Sequence, residues 1–509
     1  MSQVLFGQSY FLRFDPKLWQ GMQPYPPLGT LYAAAYLRAR GYDVALFDAM
    51  LAESEDEWAQ ALDRHRPQFA ILFEDNFNYL SKMCLLRMRQ AAFTMIAMAK
   101  QRGCTVILCG ADATDHTDDY IAQGTDYILL GEGEETLGEL MDALTGRTDR
   151  AFEDILGLAW SRPQTVDGGP LTVDNRQSSI VNHKSSIALN PRRPDIRDLD
   201  ALPFPAWDLV DIPRYRSIWL ERHGYYSMNL VTTRGCPYHC NWCAKPIWGQ
   251  RYNSRSVENV VAEIKWLKAA YHPDHIWFAD DILGLKPGWI ERFAALLREA
   301  DAVVPFKCLQ RADLVTEKVA AALASAGCRT VWVGAESGSQ KVLDAMDKGD
   351  TVADIYNAAE QLKKVGIEVG FFLQFGYPGE TWDDIQLTLK MVREAAPDDI
   401  GISVSYPMPG TKFFERVKLE LGEKQNWLDS NDLAMLYQGP YPTEFYRVLH
   451  ARIHDEFRAR RALRRPSARA IASIPHNLAR LVRDELRLRQ IARRQPPPLD
   501  LLPDHTQTH

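Results

Sequence analysis

The run Arg234-Gly235-Cys236-Pro237-Tyr238-His239-Cys240-Asn241-Trp242-Cys243 decides how this chain is read. Its cysteines are spaced C-x3-C-x2-C and follow an apolar stretch, residues 228–231, that reads as a β-strand. Three thiolates on one loop can hold three corners of a cubic iron–sulfur cluster. With no fourth cysteine in the loop, one iron keeps an open coordination site. An open iron is reactive, whereas a fully capped cluster mostly carries electrons. A zinc loop is the alternative reading, but zinc takes four ligands, commonly in paired C-x2-C knuckles, and no second pair exists in the chain.

Beyond the cysteines, residues 226–425 alternate strand and helix. Strand patterns at 228–231, 275–279, 305–309, 330–333, 368–375 and 399–406 are separated by amphipathic helices. About six β/α units predict an incomplete TIM-type barrel, (β/α)6, with its chemistry at the strand carboxyl ends. The polar motifs sit there: Phe278-Ala279-Asp280-Asp281, Gln310-Arg311-Ala312-Asp313, Gly334-Ala335-Glu336-Ser337-Gly338-Ser339 and Gly376-Tyr377-Pro378-Gly379-Glu380.

The cysteine spacing and the aromatic residue before the third cysteine resemble the radical S-adenosylmethionine (SAM) superfamily, as do Ala326-Gly327-Cys328-Arg329 and Met346-Asp347-Lys348-Gly349. The resemblance implies a [4Fe-4S] cluster on Cys236, Cys240 and Cys243 whose open iron chelates the amine and carboxylate of SAM. An electron, from a low-potential donor such as flavodoxin or ferredoxin, would then cleave SAM to a 5′-deoxyadenosyl radical. Within that resemblance, Glu336 suits the polar end of SAM, with Ser337 beside it and Arg311 as partner for the carboxylate. Gly376 and the backbone at Trp242 suit the flat adenine, and Asp280 serves SAM or substrate. For each carboxylate the competing role is a cap on the following helix. Cys308 and Cys328 fall within or beside apolar strands and read as buried thiols.

Residues 1–145 also alternate short apolar strands with amphipathic helices, predicting a doubly wound, Rossmann-like parallel sheet with its ligand site beyond the strand carboxyl ends. That places Pro26-Pro27-Leu28-Gly29, the loop after Phe73, Gly110-Ala111 and Gly131-Glu132-Gly133-Glu134 at the site, where glycines would let backbone approach a large flat ligand. In this order the motifs resemble the cobalamin-binding domain that precedes the cluster domain in one class of radical SAM enzymes. The resemblance implies cobalamin contacts at Pro27, Leu28, Gly29, Gly110, Ala111, Gly131, Glu132 and Gly133. The histidine-bearing Asp-x-His-x-x-Gly motif is absent, so cobalamin would bind without a protein histidine ligand. Residues 146–225 read as a linker region, with a small hairpin at 155–160.

At 509 residues the chain is long enough for two or three domains. A net charge of −7 gives no general case for nucleic-acid binding. The start lacks a basic region followed by an apolar core, and no apolar run approaches membrane-spanning length. Eight cysteines scattered through so large a chain do not form a secreted disulfide framework, so a reduced, cytoplasmic protein is expected. Residues 426–494 read as a helical C-terminal segment and 495–509, from the Pro496-Pro497-Pro498 run, as a disordered tail. Stretches near 422–447 are loosely similar to the tail of the anaerobic magnesium-protoporphyrin IX monomethyl ester cyclase group. Leucines interleave with Arg480, Arg483, Arg487 and Arg489 over 478–491, a pattern that first suits a solvated helix packed on the barrel, with peripheral contact with an anionic membrane as the second reading.

The expectation is a cobalamin-dependent radical SAM enzyme acting on an unactivated carbon of a small-molecule or lipid-like substrate. C-methylation through methylcobalamin is favoured slightly by the broad class, and a cyclase-type oxidation without methyl transfer by the tail. A corrinoid or iron–sulfur carrier is the non-enzymatic rival, and it predicts no SAM cleavage. The substrate itself is not legible.

Overall fold

Val4-Leu5-Phe6-Gly7 and Phe69-Ala70-Ile71-Leu72-Phe73 are apolar at every position, the mark of strands covered on both faces. They form β1 (Val4–Gly7) and β3 (Phe69–Phe73) of a seven-stranded sheet that also holds β2 (Val44–Leu46), β4 (Thr105–Cys109), β5 (Tyr127–Leu129), β6 (Leu158–Ser161) and β7 (Ile187–Leu189), in the order β2-β1-β3-β4-β5-β6-β7. The first five are parallel; β6 and β7 join antiparallel. Successive residues face opposite layers. Leu5 and Leu72 pack with Trp58 and Met95 on one side, and Phe6 and Ile71 with Leu37 and Leu140 on the other. The strand order reverses at β1, which sits between β2 and β3, and in such sheets ligands bind outside the carboxyl ends at that switch point.

This unit comprises Met1–Phe14, Pro26–Ile196 and Leu202–Val210, and a second comprises Asp15–Tyr25, Arg197–Ala201 and Asp211–His509. The computed structural model describes residues 3–161, 187–243, 248, 251–464 and 468–494; the tail expected to be disordered, 495–509, lies outside them. The boundary expected at 145 moves. β6 and β7 come from the supposed linker and extend the sheet, and the hairpin expected at 155–160 is instead a strand paired on both sides, to β5 and β7. The physical reason is the short β5, whose open edge would otherwise be left unpaired.

In the second unit β8 (Ser227–Leu230) leads into β9 (Thr233–Arg234), which pairs antiparallel with β10 (Asn253–Ser254). Then follow β11 (His275–Phe278), β12 (Phe306–Gln310), β13 (Cys328–Glu336), β14 (Glu368–Phe375) and β15 (Asp399–Val404). With β8 these make a six-stranded, all-parallel sheet in simple sequence order, the partial barrel that the β/α alternation predicts. Four of the intervening helices start where the sequence places good caps: the Ser256, Thr316, Thr351 and Thr381 hydroxyls each accept a backbone N–H of the first turn. Thr351 with Asp354 and Thr381 with Asp384 complete reciprocal capping boxes.

The C-terminal helices Thr443–Arg464 and Ala468–Arg494 pack together. Leu488 is buried, Arg480 pairs with Asp455 at 2.8 Å and Arg452 with Glu485 at 2.8 Å. Among the described residues no helix is long and apolar enough to cross a membrane.

Candidate active site

The cysteine loop is a closed excursion on a two-stranded neck. Arg234 of β9 pairs with Asn253 of β10, so residues 235–252 leave and return at one point beyond the carboxyl end of β8. Two buried charges lock that neck. Asp280, at the end of β11, accepts hydrogen bonds on Oδ1 from the Thr232 and Thr233 backbone N–H groups, both at 2.7 Å, and on Oδ1 and Oδ2 from their hydroxyls at 2.8 and 3.0 Å. Burial pushes its pKa up to about 6, against those hydrogen bonds. Arg255 donates to the Val231 carbonyl at 2.9 Å and forms a buried ion pair with Glu263. Gly235 is required here: its φ is +79°, and a Cβ would overlap the Arg251 carbonyl oxygen.

Asn241 anchors the far side of the loop. Its N–H donates to Met346 O at 3.0 Å and its side-chain amide to Ala345 O at 2.8 Å, while its Oδ1 accepts from the Tyr377 hydroxyl at 2.8 Å. Cys236 is buried, and Cys240 and Cys243 are half-buried. The Arg311 guanidinium lies 3.9 Å from Cys240 Sγ and 3.7 Å over the Tyr238 ring, fixed by Asp313 at 2.9 Å. Among the described residues no three metal-ligating side chains are drawn together as for a single ion. The fit of the loop to a cluster therefore rests on its donor set, three thiols on one clamped loop with a fixed cation beside one sulfur, and on that ground the cluster fits.

Further along the strand ends, Glu336 takes φ +54° at a register shift between β13 and β14, a left-handed backbone that costs a non-glycine residue about 1–3 kcal/mol. Its carboxylate pairs with Lys348 at 3.1 Å. Burial alone would lower the Lys348 pKa, but Glu336 and Asp350 raise it. Asp350 is buried, its pKa pushed up to about 6 by burial, with Arg311 at 4.0 Å and neither carboxylate oxygen hydrogen-bonded among the described residues. The Trp242 indole N–H is likewise buried without an acceptor. Leftover polar atoms beside one lysine and one arginine suit a ligand carrying both an ammonium and a carboxylate, as SAM does.

Several residues singled out in the sequence have other work. Asp280 accepts four hydrogen bonds from the neck, and these fix the cysteine loop. Ser337 is fully buried, its hydroxyl 3.1 Å from Thr388 Oγ1 and accepting from Ser339 N–H at 3.2 Å; it shapes the turn. Gly376 donates its N–H to Glu380 at 2.6 Å, and its open side is filled by Tyr446 and Met435. Arg311, Glu336 and Trp242 remain placed to meet a ligand. Asn241 and Asp350 were missed. Asp350 directly follows the quoted Lys348-Gly349, a signal in the sequence, whereas Asn241 acts through backbone partners that no side-chain pattern reveals. Cys308 and Cys328 are buried, as expected.

In the first unit the glycines at the strand ends answer to the protein's own packing. A Cβ on Gly110 would meet Glu74 Cγ at 2.8 Å, and one on Gly133 would meet Cys109 Sγ at 2.6 Å. Gly29, beside Pro27 and Leu28 at the start of the helix Leu28–Ala39, donates its N–H to Asp75 at 2.9 Å. Glu132 accepts from the Ile196 N–H, in the turn with Gly131, and Ala111 is buried. Of the polar atoms left over in this unit, three lie beyond β1 and β3: Ser9 Oγ, Asn76 Oδ1 and Ser81 Oγ are buried with no hydrogen-bond partner among the described residues, as are Thr125 Oγ1 and Trp207 Nε1 elsewhere. Glu74 accepts Ser9 N–H at 3.0 Å, its pKa pushed up to about 7 by burial. Unsatisfied groups at the switch point of the sheet fit a polar-edged cofactor such as cobalamin.

A three-cysteine loop clamped at the mouth of a partial (β/α)6 barrel defines the class of iron–sulfur proteins that cleave SAM. Residues 230–392 match the radical SAM superfamily and residues 22–141 the B12 binding domain. The chain carries both a radical SAM domain and a B12-binding domain, and its cofactors are a [4Fe-4S] cluster, SAM and cobalamin. An uncharacterised methyltransferase of Pyrococcus horikoshii is 26% identical over 77% of this chain and 78% of its own length. The anaerobic magnesium-protoporphyrin IX monomethyl ester cyclase of Rubrivivax gelatinosus is 25% identical over 80% of this chain and 68% of its own. In fold, the chain is similar to the radical SAM methyltransferase TsrM of Kitasatospora setae, solved with cobalamin and [4Fe-4S] cluster bound: TM-score 0.63, 18% identity, covering 82% of this chain and 78% of that one.

Proposed function

We infer that this chain is a cobalamin-dependent radical SAM enzyme that activates a substrate C–H bond, with C-methylation as the outcome. The observation that carries the reading is the Cys236–Cys240–Cys243 loop, locked by Asp280 and Arg255 and faced by Arg311, in a chain that also has a B12-binding domain. When bound, the cofactors would supply SAM cleavage and methyl transfer. The residues supply the rest. Cys236, Cys240 and Cys243 would hold the cluster, and Arg311 sets a positive charge beside Cys240 Sγ. Glu336, Lys348 and Asp350 would orient the charged end of SAM, and Ser9, Asn76 and Ser81 would meet polar edges of cobalamin. The methyltransferases among the similar proteins support the methyl outcome.

The test is anaerobic protein with rebuilt cluster, cobalamin, SAM, reductant and host-cell extract, read for 5′-deoxyadenosine and S-adenosylhomocysteine together. Both rising in an extract-dependent way supports methylation. A cyclase-type oxidation is the second reading, favoured by the similarity to the cyclase over 80% of the chain, and it yields 5′-deoxyadenosine alone. Absence of both from cluster-loaded protein favours a carrier. A Cys240→Ala variant that still makes 5′-deoxyadenosine would sink the cluster assignment.

The reading also calls for a low-potential donor such as flavodoxin or ferredoxin. Peripheral membrane contact through 478–491 draws support from Val482 and Leu486, 63% and 64% exposed among arginines. Protein that fails to float with phosphatidylglycerol vesicles loses that part.

A further inference from the structure

The two faces of the six-stranded sheet are unlike. On one, Met228, Ile276, Phe306, Cys308, Val331, Val369 and Phe371 lie in register and are fully buried. The other carries Trp277, Lys307, Leu309, Trp332 and Phe372, large side chains that the fold leaves only half-buried or exposed. Trp332 and Phe372 stack, with ring centroids 4.7 Å apart and 25° between planes. They lie flat because the neighbouring strands give way: a Cβ on Gly370 would meet the Trp332 ring at 2.5 Å, and one on Gly401 the Phe372 ring at 3.1 Å. Two glycines in strand interiors cost stability, and here they make room for an aromatic floor.

Beside the floor stands one cation. Lys307 Nζ lies 4.8 Å from the Trp277 ring centroid and 5.6 Å from that of Tyr25, and among the described residues it has no hydrogen bond and no carboxylate partner. The Tyr25 ring that it faces belongs to a neutral chain, Tyr25 OH to Ser227 Oγ at 2.9 Å and Ser227 Oγ to His275 Nδ1 at 2.9 Å. The imidazole is kept uncharged by burial and by Lys307 itself. A half-buried ammonium among rings is left unpaired by the fold, so its counter-ion belongs to a ligand.

We propose that this face is the substrate site and that the substrate is a flat, largely apolar molecule with one carboxylate, the ring system lying on Trp332 and Phe372 and the carboxylate meeting Lys307. A carboxylate suits a single ammonium; the arginine fork that would better meet a phosphate, that of Arg311, lies further along the strand and is engaged by Asp313. Lys307 sits about 13 Å along β12 below Arg311, at the pitch of an extended strand, so a substrate anchored at the lysine extends toward the cysteine loop. This deepens the radical SAM reading and rests on it.

The test uses the full-length protein and 2-naphthylacetate, with 2-naphthylacetamide, 2-(2-naphthyl)ethylamine and cyclohexylacetate as controls, each titrated calorimetrically. Naphthylacetate should bind at least about tenfold more tightly than its amide, the amine least, and cyclohexylacetate several-fold more weakly than naphthylacetate. Lys307→Met should abolish the acid-over-amide preference and Lys307→Arg keep it, while Trp332→Ala should weaken acid and amide alike. Equal binding of acid and amide to the wild-type protein overturns the proposal, and so does a preference that survives in Lys307→Met. The wild-type comparison decides even if a variant fails to fold. SAM cleavage by the wild-type protein is scored separately. Cleavage without the preference removes this site and leaves the enzyme reading, whereas the preference without cleavage by cluster-loaded protein removes the enzyme reading.

Discussion

Replacing Asp280 by alanine and by asparagine should move stability and cluster loading in opposite directions. The carboxylate is 1% exposed and its pKa rises from 3.8 to about 6, so at neutral pH its charge burdens the fold by about 3 kcal/mol relative to a neutral isostere. Asparagine drops that charge yet keeps an oxygen where Oδ1 accepts both backbone N–H groups, and its amide can donate to the Thr232 hydroxyl at the Oδ2 position. Alanine drops the charge too, but strands two buried N–H groups at about 1–3 kcal/mol each and unties the neck. The Thr232 and Thr233 hydroxyls lose their acceptor as well, so after the relieved charge is set against all four lost hydrogen bonds alanine should cost at least about 1 kcal/mol net, a fall of some degrees in the first thermal transition. Asparagine should melt at or above the wild type. The sign with pH follows: a carboxyl whose folded pKa is raised loses stability as pH rises from about 4 to 6, so the advantage of asparagine should vanish near pH 4. Iron and sulfide per chain after reconstitution read the consequence, with Asp280→Asn loading fully and Asp280→Ala poorly. An alanine variant that melts with the wild type and loads a full cluster would refute the clamp, as would equal loss in both variants.

Gly235→Ala forces a side chain into a left-handed position against the Arg251 carbonyl; at about 1–2 kcal/mol for the backbone alone plus a displaced loop, iron content should fall by at least half with far-UV circular dichroism unchanged. Glu380 is 1% exposed and its pKa is pushed up to about 8 by burial, so wild-type stability in urea should decline as pH rises from about 4.5 to 8. Glu380→Gln should flatten that slope, and parallel slopes would show that Glu380 is ionised throughout. Lys348→Met leaves Glu336 without its cation, and SAM affinity by equilibrium dialysis should drop at least tenfold, with Lys348→Arg recovering most of it.

The barrel is legible in the sequence because short apolar-rich strands alternate with amphipathic helices, several of them capped, and β14 falls on the expected residues, 368–375. The cysteine loop is legible because ligand spacing is a local property. β1 escaped notice although it lies at the centre of its sheet: at Val4–Gly7 it is too short for a period to show. β6 and β7 read as linker in the sequence because an antiparallel extension carries no β/α signature. The aromatic floor was out of reach for a different reason. That Gly370 lies under Trp332 and Gly401 under Phe372 depends on inter-strand register, which one sequence does not contain.

The same limit hides which polar residues the chain itself satisfies. Asp280, Ser337 and Asn241 are placed by the sequence at strand ends or in the loop, where ligand contacts belong, but their partners are largely backbone groups. A polar atom already satisfied by the chain gains little by turning to a ligand, because it must first break what it has. It serves instead to hold the loop still, which is what a reactive cluster site asks of its surroundings. Polar groups the fold leaves over carry the opposite meaning. Among the described residues, Asp350 has two carboxylate oxygens without a hydrogen bond, Ser9 and Asn76 each have a buried atom without one, and Lys307 has a charge without a counter-charge. Leaving such a group unmet costs about 1–3 kcal/mol or more, and a fold that bears this cost at a strand carboxyl end or beside an aromatic floor recovers it when a ligand binds. Substitution should separate the two sets: changes at Asp280 or Asn241 lower cluster retention whatever ligand is present, whereas changes at Asp350 or Lys307 leave the cluster intact and alter what binds beside it.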